Sequence, residues 1–148
     1  MIRYAHTNLI AKDLIGMIAF YVDILGCRHI GQTRDLSGSW VDRLTGIPNA
    51  HIFGEHLALP GYDADGPTIE IFCYDTVVSN TASAVNASGF THMAFAVDDV
   101  KETLAAVLAH GGTMVGELVH AEYADGRKAT FVYATDPEGN ILELQSWH

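Results

Sequence analysis

The chain is short of basic residues, with eight Lys and Arg against eighteen Asp and Glu and a formal net charge of -10. Nucleic acid and anionic membrane surfaces are gripped through basic footprints, so this balance speaks against both as partners. Cysteine is equally scarce. Cys27 and Cys73 make neither a disulfide framework nor a CxxC pair, which points to a reducing compartment, the cytoplasm. No apolar run approaches the roughly 20 residues of a membrane span, and Met1 to His6 lack the apolar stretch that a secretory signal carries behind its charge. What remains is an ordinary globular composition, 49% hydrophobic and 18% charged over 148 residues. That length builds one compact domain or two small repeats sharing a core.

The sequence is organised around a repeat. In Gly89 to Val100, read with period two, Met93, Phe95 and Val97 fall on one face of a strand and His92, Ala94 and Ala96 on the other. The first face asks for a core; the second is a run of small side chains headed by one imidazole. His6 stands seven residues before Asp13, as His92 stands seven before Asp99, and Gly26 follows His6 by twenty, as Gly112 follows His92. Recurrence at a fixed offset is an architectural signal. Both halves close alike, on Thr68-Ile69-Glu70-Ile71-Phe72 and Ile141-Leu142-Glu143-Leu144-Gln145. A carboxylate inside such a run must be paired, protonated or metal-bound, because an unpaired charge in an apolar sheet is costly. The repeat thus offers His6, Glu70, His92 and Glu143.

Taken in order, residues 3–12 read as a strand, with His6, Asn8 and Ile10 on one face. Asp13 caps a helix whose stripe is Leu14, Ile18, Tyr21 and Leu25, ended by Gly26. A short strand to about Gly31 precedes a long polar loop, Gln32 to Asn49. That loop carries Arg34, Trp40 and Arg43. Either Trp40 covers an edge of the core and the arginines are solvated, or the three form a lid over a ligand with an anionic group. Strands follow at 51–59 and 68–74. Val77 to Ser88 reads as a linker between module 1, about residues 1–76, and module 2, about 89–148. In module 2, Asp99 and Glu102 form a capping-box variant, and Val100, Leu104, Val107 and Leu108 the apolar stripe. His110 reads as a favourable helix C-terminal residue. Strands at 113–117, 119–124 and 128–134 surround the hairpin signal Asp125-Gly126, and a turn at 136–140 feeds the last strand.

With these residues the chain resembles the vicinal oxygen chelate superfamily, which includes glyoxalase I, methylmalonyl-CoA epimerase, extradiol dioxygenases, fosfomycin-modifying enzymes and bleomycin-binding proteins. The resemblance rests on His6, Phe20-Tyr21 with Leu25-Gly26, Glu70, His92 in THMAFAVDD, and Asp136-Pro137-Glu138-Gly139-Asn140 leading to Glu143. It implies a single α+β domain over residues 1–148, two paired βαβββ modules whose curved mixed sheet surrounds a metal-binding cleft. His6, Glu70, His92 and Glu143 match its four ligand positions, for one divalent ion: Ni, Co, Zn, Mn or Fe(II). It further implies a small-molecule substrate with adjacent oxygens that chelate the ion, giving an enediolate or enolate on proton transfer. Glu143 is the candidate base and Glu70 the second. No Arg follows His6 to hold glutathione. Tyr133 with Asp136-Pro137, Gly139 and Glu143 looks like the tail of an extradiol dioxygenase signature, although His120 lies too far upstream of Tyr133 to complete it. A metal-dependent isomerase, epimerase or lyase is the leading expectation, with an Fe(II) ring-cleaving dioxygenase or a non-catalytic bleomycin-resistance-like binding protein as alternatives. A homodimer is expected by analogy with the family.

Overall fold

A computed structural model of the chain describes residues 1–80 and 84–148. The expected linker at 77–88 therefore lies partly outside the described residues. The chain divides into two compact units, Met1–Ser79 and Asn80–His148.

In the first unit the order is β1 (His6–Ile10), α1 (Leu14–Asp23), β2 (Arg28–Ser37), α2 (Ser39–Thr45), β3 (His51–Ala58) and β4 (Thr68–Tyr74). In the second it is β5 (His92–Ala96), α3 (Val100–Ala109), β6 (Thr113–Glu122), β7 (Lys128–Thr135) and β8 (Ile141–Trp147). Each unit holds a four-stranded mixed sheet, ordered β1-β4-β3-β2 and β5-β8-β7-β6. The outer pairs β1/β4 and β5/β8 are parallel, and the rest antiparallel. Both long strands slip register at the same place, between Ile30 and Arg34 and between Val115 and Val119. Gly31 (φ 67°) and Gly116 (φ 73°) lie inside those slips, in a conformation that favours glycine.

α1 and α3 start where the sequence caps them. Asp13 accepts from the Gly16 amide at 3.0 Å, and Asp99 from the Glu102 amide at 2.9 Å. Gly26, at φ 71°, follows α1 as the expected terminator. α1 buries Met17, Phe20 and Tyr21, a face rotated from the expected stripe. α3 buries Val100, Leu104 and Val107, while Leu108 is half exposed, one residue past the edge of a narrow stripe. α1 packs on β3 and β4, and α3 on β6, β7 and β8. On β4 the buried Ile69 and Ile71 flank Glu70, and on β8 the buried Leu142 and Leu144 flank Glu143. Successive strand residues point to opposite faces, so both glutamates stand on the face that the apolar flanks leave.

Two elements differ from expectation. The stretch Gln32 to Asn49 is not a loop: β2 continues to Ser37, and α2 occupies most of the remainder. α2 docks through Val41 on Ala50, Ile52 and Phe72. Phe72 and Ile52 share faces with Glu70 and His56, so α2 covers one end of the glutamate-bearing face. The strands expected at 113–117 and 119–124 are likewise one bulged strand, β6.

Candidate functional site

The site is built on strand register. His6 pairs with Thr68 across β1/β4, and Glu70 lies two residues beyond Thr68; His92 pairs with Ile141 across β5/β8, and Glu143 lies two residues beyond Ile141. A two-residue offset keeps side chains on one face. In each unit this brings His Nε2 to 3.2 Å from Glu Oε2. The same distance, reached twice by the same register, gives the two units one equivalent His–Glu pair each, His6–Glu70 and His92–Glu143.

The surroundings of the two pairs differ. Glu70 Oε2 accepts from Asn8 Nδ2 at 3.1 Å, and Oε1 lies 2.7 Å from His56 Nε2. His56 pairs with Glu70 across β3/β4. Burial pushes the His56 pKa below its ordinary value; the charges of Arg34 and His6 push the same way, and Glu70 opposes them without prevailing. A neutral His56 therefore places its Nε2–H on Glu70. In the second unit Tyr133 takes the place of His56, paired with Glu143 across β7/β8. Its pKa is raised first by burial, then by the charge of Glu143 and by hydrogen bonding toward that carboxylate. Its ring lies 5.1 Å from that of His92. Ala94 stands opposite Glu143 where Asn8 stands opposite Glu70.

His56 and Asn8 escaped sequence reasoning. Pairing His56 with Glu70 requires the register across the connection between Ala58 and Thr68, which composition does not supply. Asn8 was legible as a face-mate of His6, without any sign that it would bind Glu70. The candidate ligand-contacting residues are separated: Arg34 lies on β2 opposite Gly54, near His56, whereas Trp40 and Arg43 lie on α2. Trp40 is half exposed.

Among the described residues, no group of three or more His, Cys, Asp and Glu gathers as a metal site. Each unit presents one such His–Glu pair at equivalent register. The donor set nonetheless suits a divalent ion, because imidazole nitrogen and carboxylate oxygen are its ordinary ligands. Two donors each about 2.1 Å from one ion and roughly at right angles lie about 3 Å apart, which matches the 3.2 Å spacing of both pairs.

The fold and the site define a protein of two similar α+β units, each presenting a His–Glu pair on one face of a mixed sheet. The family model described as the Glyoxalase/Bleomycin resistance protein/Dioxygenase superfamily matches residues 3–144. The chain belongs to that superfamily. It is 27% identical over 140 residues to a lactoylglutathione lyase of Haemophilus influenzae, covering 94% of this chain and 88% of the relative. It is 26% identical over 144 residues to a probable lactoylglutathione lyase of Vibrio parahaemolyticus, covering 96% and 88%. Among solved structures, a glyoxalase family protein from Bacillus cereus superposes with a TM-score of 0.83 at 23% identity, covering 99% of this chain and 95% of that one. The trypanothione-dependent glyoxalase I of Leishmania major superposes with a TM-score of 0.65 at 23% identity, covering 99% and 87%. At these identities the structures establish the fold.

Proposed function

We propose that the chain is a divalent-metal-dependent lyase or isomerase of the glyoxalase I type, moving a proton next to a carbonyl of a small oxygenated substrate. The observation that carries this reading is the His–Glu pair repeated at one register and one distance, His6 with Glu70 and His92 with Glu143. The relatives named lactoylglutathione lyase support the same reaction class. His6, Glu70, His92 and Glu143 would hold the ion together, within one chain or across a homodimer. Bound there, a divalent ion supplies Lewis-acid polarisation of a carbonyl oxygen.

The protein's own groups divide the remaining work. Glu143 is the base. Its carboxylate is engaged by His92 and Tyr133, whereas that of Glu70 is engaged by His6, Asn8 and His56. With more of its lone pairs committed, Glu70 is better fitted to stay fixed than to take a proton. Tyr133, paired with Glu143 across β7/β8, would hold that carboxylate in orientation. Arg34, on the same face as His56, would meet a substrate oxygen, and Trp40 and Arg43 on α2 would border that end of the face.

The test is elemental analysis of the protein after addition of excess metal and desalting, repeated on His92→Ala and Glu143→Ala with circular dichroism to confirm folding. About one ion per chain in the parent, lost in both variants, is the expected result. A parent that retains none after reconstitution would overturn the reading.

A further inference from the structure

The second unit contains a cavity of about 380 Å³ that opens beside Glu143. Its lining includes Glu117, Val119, Tyr123, Phe131, Tyr133 and Glu143. The register explains the lining. Val119 pairs with Phe131 across β6/β7, and Tyr133 follows Phe131 by two residues, so these side chains share the face that carries Glu143. An apolar cup thus leads directly to the carboxylate proposed to move the proton.

The cup is open to solvent although it is apolar. Val119 is 47% exposed, Tyr123 41% and the adjoining Trp147 44%. Tyr123 stacks on Trp147 at 5.4 Å between ring centroids, and Phe131 meets Trp147 edge-on at 5.5 Å. Grouped exposed apolar side chains beside a polar anchor are the usual lining of a small-molecule site. The sheet itself does not demand them. In the first unit, Arg34 occupies the position that corresponds to Val119, and Gly54 the one that corresponds to Phe131. Gly54 (φ 151°) admits no side chain, since a Cβ there would lie 2.1 Å from the Ile71 carbonyl oxygen. Two copies of one framework therefore differ at the same place, one cationic and bare, the other apolar and aromatic.

The charges around the cup carry the same message. Its charged lining residues, Glu117 and Glu143, are both acidic. The two cations of the β6–β7 turn are each paired with a carboxylate: Arg127 Nε lies 2.8 Å from Asp125 Oδ2 while its guanidinium covers the Tyr123 and Trp147 rings at the border of the cup, and Lys128 Nζ lies 3.5 Å from Glu122 Oε2.

We infer that this cup seats an uncharged, aromatic or branched apolar group of the substrate, and rejects an anionic group at that position. The inference rests on the reading of Glu143 and His92 as donors at the reacting centre. The volume sets a size, because small-molecule sites run from about 300 to 1,000 Å³ and this one, near the lower bound, holds a single-ring group rather than a peptide-sized one. Substrate class follows: an α-hydroxycarbonyl or related compound whose substituent is phenyl-like and neutral.

The test is isothermal titration with three probes that share adjacent oxygens. These are 2-hydroxyacetophenone, its 4′-carboxylate and hydroxyacetone, each titrated into metal-reconstituted and into chelator-treated protein. The neutral aryl probe should bind at least about tenfold tighter than the carboxylate, given the cost of bringing like charges together. It should exceed hydroxyacetone by a similar factor, because a ring is added to an apolar seat. Val119→Lys, at a half-exposed position, should close or invert the gap between aryl and carboxylate probes without changing metal content. Equal binding of the two aryl probes by the parent, or a gap unmoved by Val119→Lys, overturns the inference even where metal is retained. An aryl preference in protein that retains no metal would uphold the cup while refuting the metal reading.

Discussion

Asp136 is completely buried, and its removal gives the sharpest test of how the second unit's His–Glu pair is held. Its Oδ1 accepts from the Glu138 and Asn140 amides, both at 3.0 Å, and its Oδ2 from Asn140 Nδ2 at 2.8 Å. These bonds form the turn that delivers Ile141 opposite His92, and with it Glu143 two residues on. Hydrogen bonds to a charged group contribute about 1.5–3 kcal/mol each and are not additive, and the cost of burying the carboxylate offsets part of the sum. Asp136→Ala leaves two amides without their acceptor, so the expected loss is about 3–5 kcal/mol. In a chain of this size that corresponds to roughly 8–15 °C in Tm. Asp136→Asn keeps an acceptor for both amides and should cost about 1–2 kcal/mol. Urea unfolding of the three proteins, with metal retention measured in parallel, reads both effects. A loss under about 1 kcal/mol for the alanine variant, or equal losses for the two, would refute the reasoning.

Four further outcomes are expected. Tyr133→Phe keeps the ring beside His92 and removes the hydroxyl from Glu143; metal content should stay unchanged while turnover falls several-fold, and unchanged turnover in a panel of α-hydroxycarbonyls would remove Tyr133 from the mechanism. His51 is held by Asp35 at 2.6 Å and by Asp75 at 3.3 Å, and its pKa is raised first by the hydrogen bond to Asp35. That stabilisation is complete below the unfolded pKa of about 6.5 and disappears as pH rises through the higher folded value, so His51→Gln should lower Tm at pH 5.5 and leave it unchanged at pH 9. Burial pushes the Cys27 thiol up to about 11; mass spectrometry after iodoacetamide at pH 8 should show Cys73 alkylated first and Cys27 only on unfolding. Gly54→Ala should destabilise the first unit severely, since both its φ and the Ile71 carbonyl exclude a Cβ, and a variant with parental urea midpoint would contradict that geometry.

The fold was largely legible because duplication printed it twice. β4 runs from Thr68 to Tyr74 as its aliphatic alternation indicates, and α1 and α3 begin at their aspartate caps. What was illegible lacked periodic apolar content. Gln32 to Ser37 is a mostly polar continuation of a bulged strand, so alternation never signals it. α2 buries only Val41, and seven residues with one buried side chain carry no helical stripe to detect. The His–Glu pairs could be read because each Glu interrupts an aliphatic strand. Their partners could not, since His56 and Tyr133 reach the glutamates only through the register of a folded sheet.

The two units also show why duplication alone does not assign roles. One framework fixes His and Glu at the same spacing in both, so the pairs have equal claims as ligands. Asn8 against Ala94 and His56 against Tyr133 then break the equivalence: an amide and an imidazole are added around Glu70, a phenol around Glu143. Arg34 against Val119 breaks it again further along the same face. Each difference shifts polar contacts toward the first unit and apolar surface toward the second.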